Sequence, residues 1–599
     1  MVRRSFFLSV LFIWFSAFFL RAVHLLQVKD VLLFTHLVGD ARFHDAWAQK
    51  IAQGNWIGTG VFYHAPLYPY FLAVLYAALG HNLLAVRGVQ ILLGATSCVF
   101  LAMAGRFFFS PWTGVLAGVL LAFYPTMIFF EGLLQKVVLE VFFLTLLLLL
   151  LGKITCGPRA RLWFATGVVL GGLSLARESG PLFIPILAVW VLLQFQDNPW
   201  KKRWQWLAAF GMGLAFVLLP VGLRNLVVGG EFHVISSQSG PNFYLGNNKK
   251  ADGLYKPLRW ARGQSESEHQ DAIDLAEEAL GRKLTPSEVS RYWSERTLAE
   301  IREDPGHWFN LLWRKWRMVW NSTEISDTED QYTYSKWSAV LRILGLFFHF
   351  GVVVPLAAFG LYVTWPQRRR LWLLYTMVFG IAAGLVLFLV YSRYRLPMVP
   401  FLLLFAAAGL REGIVRCRRK QFKTLWVGGA IVLFSALAAN WPIVSRQNMG
   451  AVTYYNMGVA QIEEGSFEEA LRSLTEAQRL DPTDAMIRNN LGYAFKRLGR
   501  HEEALAAFAE AVRLKPDYAT YQLNCGLACL DLKKMEEAVK YLTEAVRLKP
   551  NDPVYHYGLG VALLKQNRTQ EAVVHLREAV RLNPDFLEAR RILESLPSD

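Results

Sequence analysis

Residues 137–152 read VVLEVFFLTLLLLLLG and residues 348–365 read FHFGVVVPLAAFGLYVTW, two runs almost devoid of charge. About 20 apolar residues rising 1.5 Å each cross a hydrocarbon layer about 30 Å thick, and a helix satisfies its backbone hydrogen bonds within its own segment. Working outward, an apolar stretch follows the basic start up to Leu20. Others lie near residues 84–105, 111–129, 132–152, 162–177, 180–196, 204–226, 338–363, 371–391, 397–411 and 424–441. Together they predict about eleven spans. The last part of the chain lacks such runs and reads as water-soluble helices. The expected architecture is all-α: a polytopic membrane bundle over residues 1–441, with a large loop at 229–337, followed by an α-solenoid over residues 452–599.

Composition excludes several other classes. Hydrophobic residues make up 54% of the 599 positions, too many for a disordered chain, and five cysteines are too few for a disulfide scaffold. Cys525 and Cys529 lie one helical turn apart without a histidine or a second cysteine pair, so no structural zinc set is expected. Lys and Arg number 63 against 47 Asp and Glu, a net charge of +16. The excess falls in short clusters between apolar runs, such as Arg368, Arg369, Arg370 and Arg416, Arg418, Arg419, Lys420. That is the pattern of loops retained in the cytoplasm, not of a nucleic-acid surface.

Loop charge also predicts orientation. The start, Met1-Val2-Arg3-Arg4, lacks a small-x-small cleavage site after its apolar stretch and is read as an uncleaved anchor entering from the cytoplasm. Residues 65–80, APLYPYFLAVLYAALG, would reverse every later loop if they crossed. Short and carrying Pro66 and Pro69, they are read as an interfacial or half-buried helix. The segments around Asp40, Glu131 and Arg177, the 229–337 loop, Tyr391 to Arg395 and everything after about 442 then share the outer face. In a two-membrane bacterium this is a multi-pass inner-membrane protein whose tail is periplasmic.

After Trp441 the sequence repeats every 34 residues. Gly458, Gly492, Gly526 and Gly560 mark one position, Ala470, Ala504, Ala538 and Ala572 another, Ala477, Ala511, Ala545 and Ala579 a third, and Pro482, Pro516, Pro550 and Pro584 a fourth. This resembles the tetratricopeptide repeat, four units with residues 586–596 as a cap. Asn456, Asn490 and Asn524 recur two residues before the first three glycines and could form an amide ladder for the backbone of a bound protein or peptide, or else face water; Gly558 ends the series. A tail tethered by a short linker would raise the local concentration of a bound segment.

Ionisable residues near membrane depth point to function. They are Asp40, His44 and Asp45 in VGDARFHDAWAQKIAQGNW, His64 in VFYHAPLYPY, Glu131, Lys136, Glu140, Arg177 and Glu178, and Arg393 and Arg395 in YSRYRLPMVPF. Carboxylates, cations and aromatics converging on one face of an apolar body suit a lipid-linked polar substrate. Their order, with PLYPYFL, YRLP and NFYLGNN at 242–248, is similar to membrane glycosyltransferases of the GT-C superfamily, in the branch of protein O-mannosyltransferases and the aminoarabinose transferase of lipid A. The resemblance covers roughly residues 1–440 and is strongest at 38–80 and 391–405. It implies inverting transfer from a polyprenyl-phosphate sugar to an acceptor on the outer face.

Such a reaction needs a carboxylate to take the acceptor's proton, and Asp40 is the candidate. The family's first loop commonly reads Asp-Glu with a Tyr following; here Ala41 replaces the Glu, and Asp45 could substitute. Arg393 and Arg395 match the family's phosphate-side position, and Arg177, in a break between helices, could share that work or pair with Glu178 or Glu131. Lys136 and Glu140 have the i, i+4 spacing of a structural ion pair. His64 and Glu131 are further candidates to line the substrate site. Tyr244 and Asn247, with Asn242 and Asn248, could bind sugar hydroxyls or simply form a turn. His44 and His64 beside Asp40 could hold a divalent ion, but their spacing is loose, so no metal ligand and no certain cofactor is assigned. No nucleotide-binding glycine loop or Walker signature occurs, which favours a lipid-linked donor. Two rivals are a transporter or flippase of lipid-linked sugars and a non-catalytic membrane scaffold for the repeats.

Overall fold

Leu, Val and Phe dominate the apolar runs in the first part of the chain, which form helices that bury or lipid-expose their whole surface. The computed structural model describes residues 2–259 and 265–596. Of the start at residues 1–4, read as cytoplasmic, Met1 and the side chains through Arg4 lie outside the described residues. The described chain divides into two units, Met1–Arg446 and Gln447–Asp599, and their secondary structure is helical throughout.

In the first unit seven helices are long and apolar enough to cross a membrane, eight if Pro111–Ala122 and Pro125–Glu131, bent by 56°, form one broken span. Ala160–Ala176 and Gly180–Gln194 are shorter apolar helices. So is Leu67–Leu79; its 13 residues extend only about 20 Å, too short to cross alone. The apolar segment Phe350–Leu387 counts as one by length, but it folds back at Trp365–Gln367. The Tyr375 hydroxyl lies 2.8 Å from Thr364 Oγ1 and 3.3 Å from the Leu361 carbonyl. A straight helix would separate those residues by roughly 16 to 21 Å. The stretch 338–363, expected as a single span, breaks at Phe348–His349. Ser338 caps an amphipathic helix, Ala339–Phe347, and a separate apolar helix begins at Phe350.

Glycines let these helices approach closely. A Cβ on Gly167 would sit 2.1 Å from the Phe210 carbonyl oxygen, and one on Gly213 would sit 2.1 Å from that of Phe164, so Ala160–Ala176 and Trp200–Gly229 pack backbone to backbone. The helices also share a polarity. Val137–Cys156 starts beside Lys136 and ends past Lys153, and Ala160–Ala176 starts after Arg159 and ends at Arg177. Arg368–Leu387 starts at the triple arginine and ends beside Phe388, and Val399–Arg418 starts near Pro397 and ends at Arg416 and Arg418. Lys136, Arg177, Phe388 and Pro397 all line one cavity, so the basic clusters occupy the other ends of the same helices, about 25 to 30 Å away.

Residues 229–337 form a helical cover. Residues 242–247, for which a turn is one of the two readings, are helical within Ser239–Asn247, and Asn248 caps that helix. Thr285 and Glu288 form the capping box that their spacing implies, opening Pro286–Glu303. The second unit contains four helix pairs and a final helix, Leu587–Ser595. The second helix of each pair ends at Leu480, Leu514, Leu548 or Leu582, two residues before the recurring proline. The recurring glycines face Leu474, Phe508, Leu542 and Leu576, where an added Cβ would approach within 2.5 to 2.8 Å.

Candidate active site

Gly39 starts the first-loop helix, Gly39–Ala52, with φ +56°, and a Cβ there would meet Thr328 Cγ2 at 2.5 Å. Only glycine meets both demands. The tight entry places Asp40 in the first helical turn, where the helix dipole favours a carboxylate. Asp40 lines a cavity of about 650 Å³ in the first unit. One part of its wall is polar: Asp40, His64, Lys136, Arg177, Glu178, Glu268, Asp327 and Arg393. Another is apolar: Leu144, Leu173, Leu182, Phe183, Ile381 and Leu385.

Arg393 is the hub of the polar wall. Its Nη1 donates to Asp40 Oδ2 at 2.6 Å and to Gln135 Oε1 at 2.9 Å, while its Nη2 meets Asp327 Oδ2 at 2.6 Å. The guanidinium also stacks over Tyr394, 5.0 Å from its centroid, and Arg177 lies over the same ring at 4.9 Å. Burial pushes the Asp327 carboxyl up, Arg393 pulls it down and the Asp40 charge pushes it up again; the net direction is upward. The Arg393 Nε and His64 Nε2 atoms are buried and have no partner among the described residues. Burial holds the His64 imidazole down to about 4, so it is neutral near pH 7.

Two ion pairs cross beside this hub. Lys136 meets Glu178 at 3.2 Å and Arg177 meets Glu140 at 2.6 Å, so neither the Lys136–Glu140 pair expected from spacing nor a pairing of Arg177 with Glu178 or Glu131 forms. At the helix break, where Arg177 is extended, Arg177 reaches Glu140 in the first turn of Val137–Cys156 and Glu178 reaches Lys136 at that helix's N-cap. Burial works against the Glu178 carboxylate, but Lys136 and the Ala65 N–H outweigh it and hold the group down to about 2.

Several candidate residues do not belong to the cavity wall. Arg395 turns away: it pairs with Glu324 at 2.6 Å and donates to the carbonyls of Val319, Asn321 and Thr323, fixing that loop. Asp45 points off the opposite face of its helix and accepts from Tyr76, from Gln49 at 2.8 Å and from His81 at 2.8 Å. It therefore does not replace the carboxylate missing at Ala41. Glu131 is fully buried against Arg21. Tyr244 packs on Trp293, 4.6 Å between centroids, and Asn247 bonds to the Phe243 and Leu387 carbonyls and to Trp308. These two hold the helical cover of residues 229–337 in place, and of that group Asn242 lines the cavity.

Three acidic or aromatic members of the site were not singled out from sequence: Asp327, Glu268 and Tyr255. Asp327 stands in the acidic run EISDTED at 324–330, a signal that was there to read; Glu268 lies in a generally polar helix and carries none. In the second unit, Asn490 donates to the Tyr455 hydroxyl at 3.2 Å and Asn524 to Asn489 Oδ1 at 2.8 Å, so these amides tie adjacent repeats together. Asn456 is half-buried.

Comparison with known proteins agrees with this division. The family described as dolichyl-phosphate-mannose-protein mannosyltransferase matches residues 63–221, which include His64, Lys136, Arg177 and Glu178. Tetratricopeptide repeat families match residues 455–519, 496–553 and 530–596. A GT-C-like domain and C-terminal tetratricopeptide repeats are thus present in this membrane protein. Among solved structures, MamA 41-end from Desulfovibrio magneticus RS-1 is similar at 27% identity over 24% of this chain and 81% of its own, with a TM-score of 0.23. YrrB, a TPR protein with an unusual peptide-binding site, is similar at 18% identity over 30% of this chain and 88% of its own, also with a TM-score of 0.23. No curated protein matches the sequence.

Proposed function

We propose that the first unit is an inverting glycosyltransferase that takes a sugar from a polyprenyl-phosphate donor and passes it to an acceptor, a polypeptide, on the periplasmic face of the inner membrane. The observation that carries this reading is the cavity, whose wall combines a charged and aromatic part with an apolar part. A sugar phosphate on a long isoprenoid requires both surfaces at once. Arg393 would bind the donor phosphate, which competes with the two carboxylates that guanidinium holds, and its buried Nε supplies a further donor. Asp40 would take the acceptor's proton.

Lys153, Arg159, the arginines at 368–370, and Arg416 and Arg418 lie at helix ends remote from the cavity, which supports the orientation, since clusters in short loops stay in the cytoplasm. The two short apolar helices at 160–176 and 180–194 and the fold-back at 365–367 support a count of about eleven spans. The repeats would recruit the acceptor or a partner protein, with Asn456, Asn490 and Asn524 near the bound backbone.

The test is Asp40→Asn in the full chain, with transfer followed from a radiolabelled polyprenyl-phosphate sugar and by mass shifts on periplasmic proteins or envelope glycans. Transfer should fall by about 100- to 10,000-fold. A flippase or scaffold would give no transfer in either form.

A further inference from the structure

In the first loop Asp40 is followed by Ala41, and Asp45 is held by Tyr76, Gln49 and His81, so Asp40 is the one carboxylate that this loop gives to the cavity. Another part of the chain brings one to the same cavity. The outer-cover helix Ser265–Leu280 docks on the first loop through His269, whose ring stacks on Tyr63 at 3.8 Å. The next residue back, Glu268, lines the cavity with Asp40, and Tyr255 donates to its Oε2 at 2.6 Å. No cation among the described residues lies within ion-pair distance of it, whereas Lys136, Arg177 and Arg393 are each matched to carboxylates. A half-buried carboxyl held by a phenol, with no cation beside it, is not arranged for stability.

We propose that Glu268 is the second carboxylate of the reaction centre, accepting a hydrogen bond from the acceptor hydroxyl and sharing with Asp40 the proton that this hydroxyl loses. This rests on the transfer reading above. The acceptor O–H breaks and its electron pair forms the bond to the anomeric carbon. The bond from that carbon to the phosphate oxygen breaks, and its pair leaves on the polyprenyl phosphate. The proton ends on the pair of carboxylates.

The groups facing Glu268 are Tyr255, Tyr63 and Tyr391, the carboxylates Asp40 and Asp271, and the Arg393 guanidinium. Burial and the Asp40 charge raise its carboxyl to about 7 against the pull of Tyr255 and Arg393. The base form therefore gains population as pH rises through about 7, and transfer should rise with it.

Membranes from cells that make the native donor and acceptor, carrying the full chain or Glu268→Gln or Glu268→Asp, are assayed for transfer from about pH 5.5 to about pH 8.5. We expect Glu268→Gln to lose about 100-fold and to lose the acid-side limb, and Glu268→Asp to keep a limb. Wild-type rates in Glu268→Gln, or reduced rates with an unchanged limb, would overturn the proposal while leaving the transfer reading intact. If the wild-type chain gives no transfer above membranes lacking it, the transfer reading falls and this one with it.

Discussion

Arg393 and Arg395 stand two residues apart in one short helical turn, Ser392–Arg395, yet do opposite work. Arg393 gathers Asp40, Asp327 and Gln135 at the cavity wall, and Arg395 closes the 319–324 loop through Glu324 and three carbonyls. Lysine at 393 keeps a charge but cannot fork between two carboxylates or lie flat over Tyr394, so Arg393→Lys should cost about 100-fold in transfer with the thermal midpoint little changed. Alanine at 395 strands a buried Glu324 and should cost about 3 to 5 kcal/mol of stability, read as a drop in the thermal midpoint of the purified chain. Equal midpoints for the two variants would reverse the assignment. The motif YRLP marked both arginines in the sequence, but which one faces substrate depends on where a loop 70 or so residues earlier packs, and no local pattern encodes that. The same limit hid Glu268, which reaches the site only because His269 stacks on Tyr63.

At the scale of elements, legibility followed how local the determinant was. The 34-residue period fixed the repeats because each unit poses the same packing problem, a small residue opposite a large one, and solves it the same way. The capping box at Thr285 needs only its own four residues. Span boundaries are less local. Apolar character runs on through Ala339–Phe347 into Phe350–Thr364, so hydropathy cannot register the break at Phe348–His349. The reversal at Trp365–Gln367 is legible by contrast, because Pro366 removes a backbone donor and the following arginines end the apolar run, separating 338–363 from 371–391. Cysteines at 364 and 375 in the full chain should therefore be joined by a short bismaleimide, with a mass shift after digestion between them. A straight helix holds these positions roughly 16 Å apart, and failure to cross-link would restore a single long span.

For the whole membrane unit, the decisive quantity is which side of the bilayer the cavity opens to, since the proposed transfer requires a lipid-linked donor and its acceptor to meet there. Native cysteines supply half of the measurement: Cys156 and Cys417 are exposed at helix ends beside Lys153 and beside Arg416 and Arg418, remote from the cavity. Gln53→Cys, at an exposed position just beyond the first-loop helix Gly39–Ala52, supplies the other half. In intact spheroplasts a membrane-impermeant maleimide should modify residue 53 and spare 156 and 417, and after permeabilisation all three should react. Positive charge clustered in short loops resists translocation, so the three sites should not exchange sides with growth conditions or expression level. Modification of Cys156 and Cys417 from outside, with residue 53 protected, would put Asp40, Arg393 and Glu268 in the cytosol. There a periplasmic acceptor could not reach them, and the transfer reading would have to be abandoned along with the role given to Glu268.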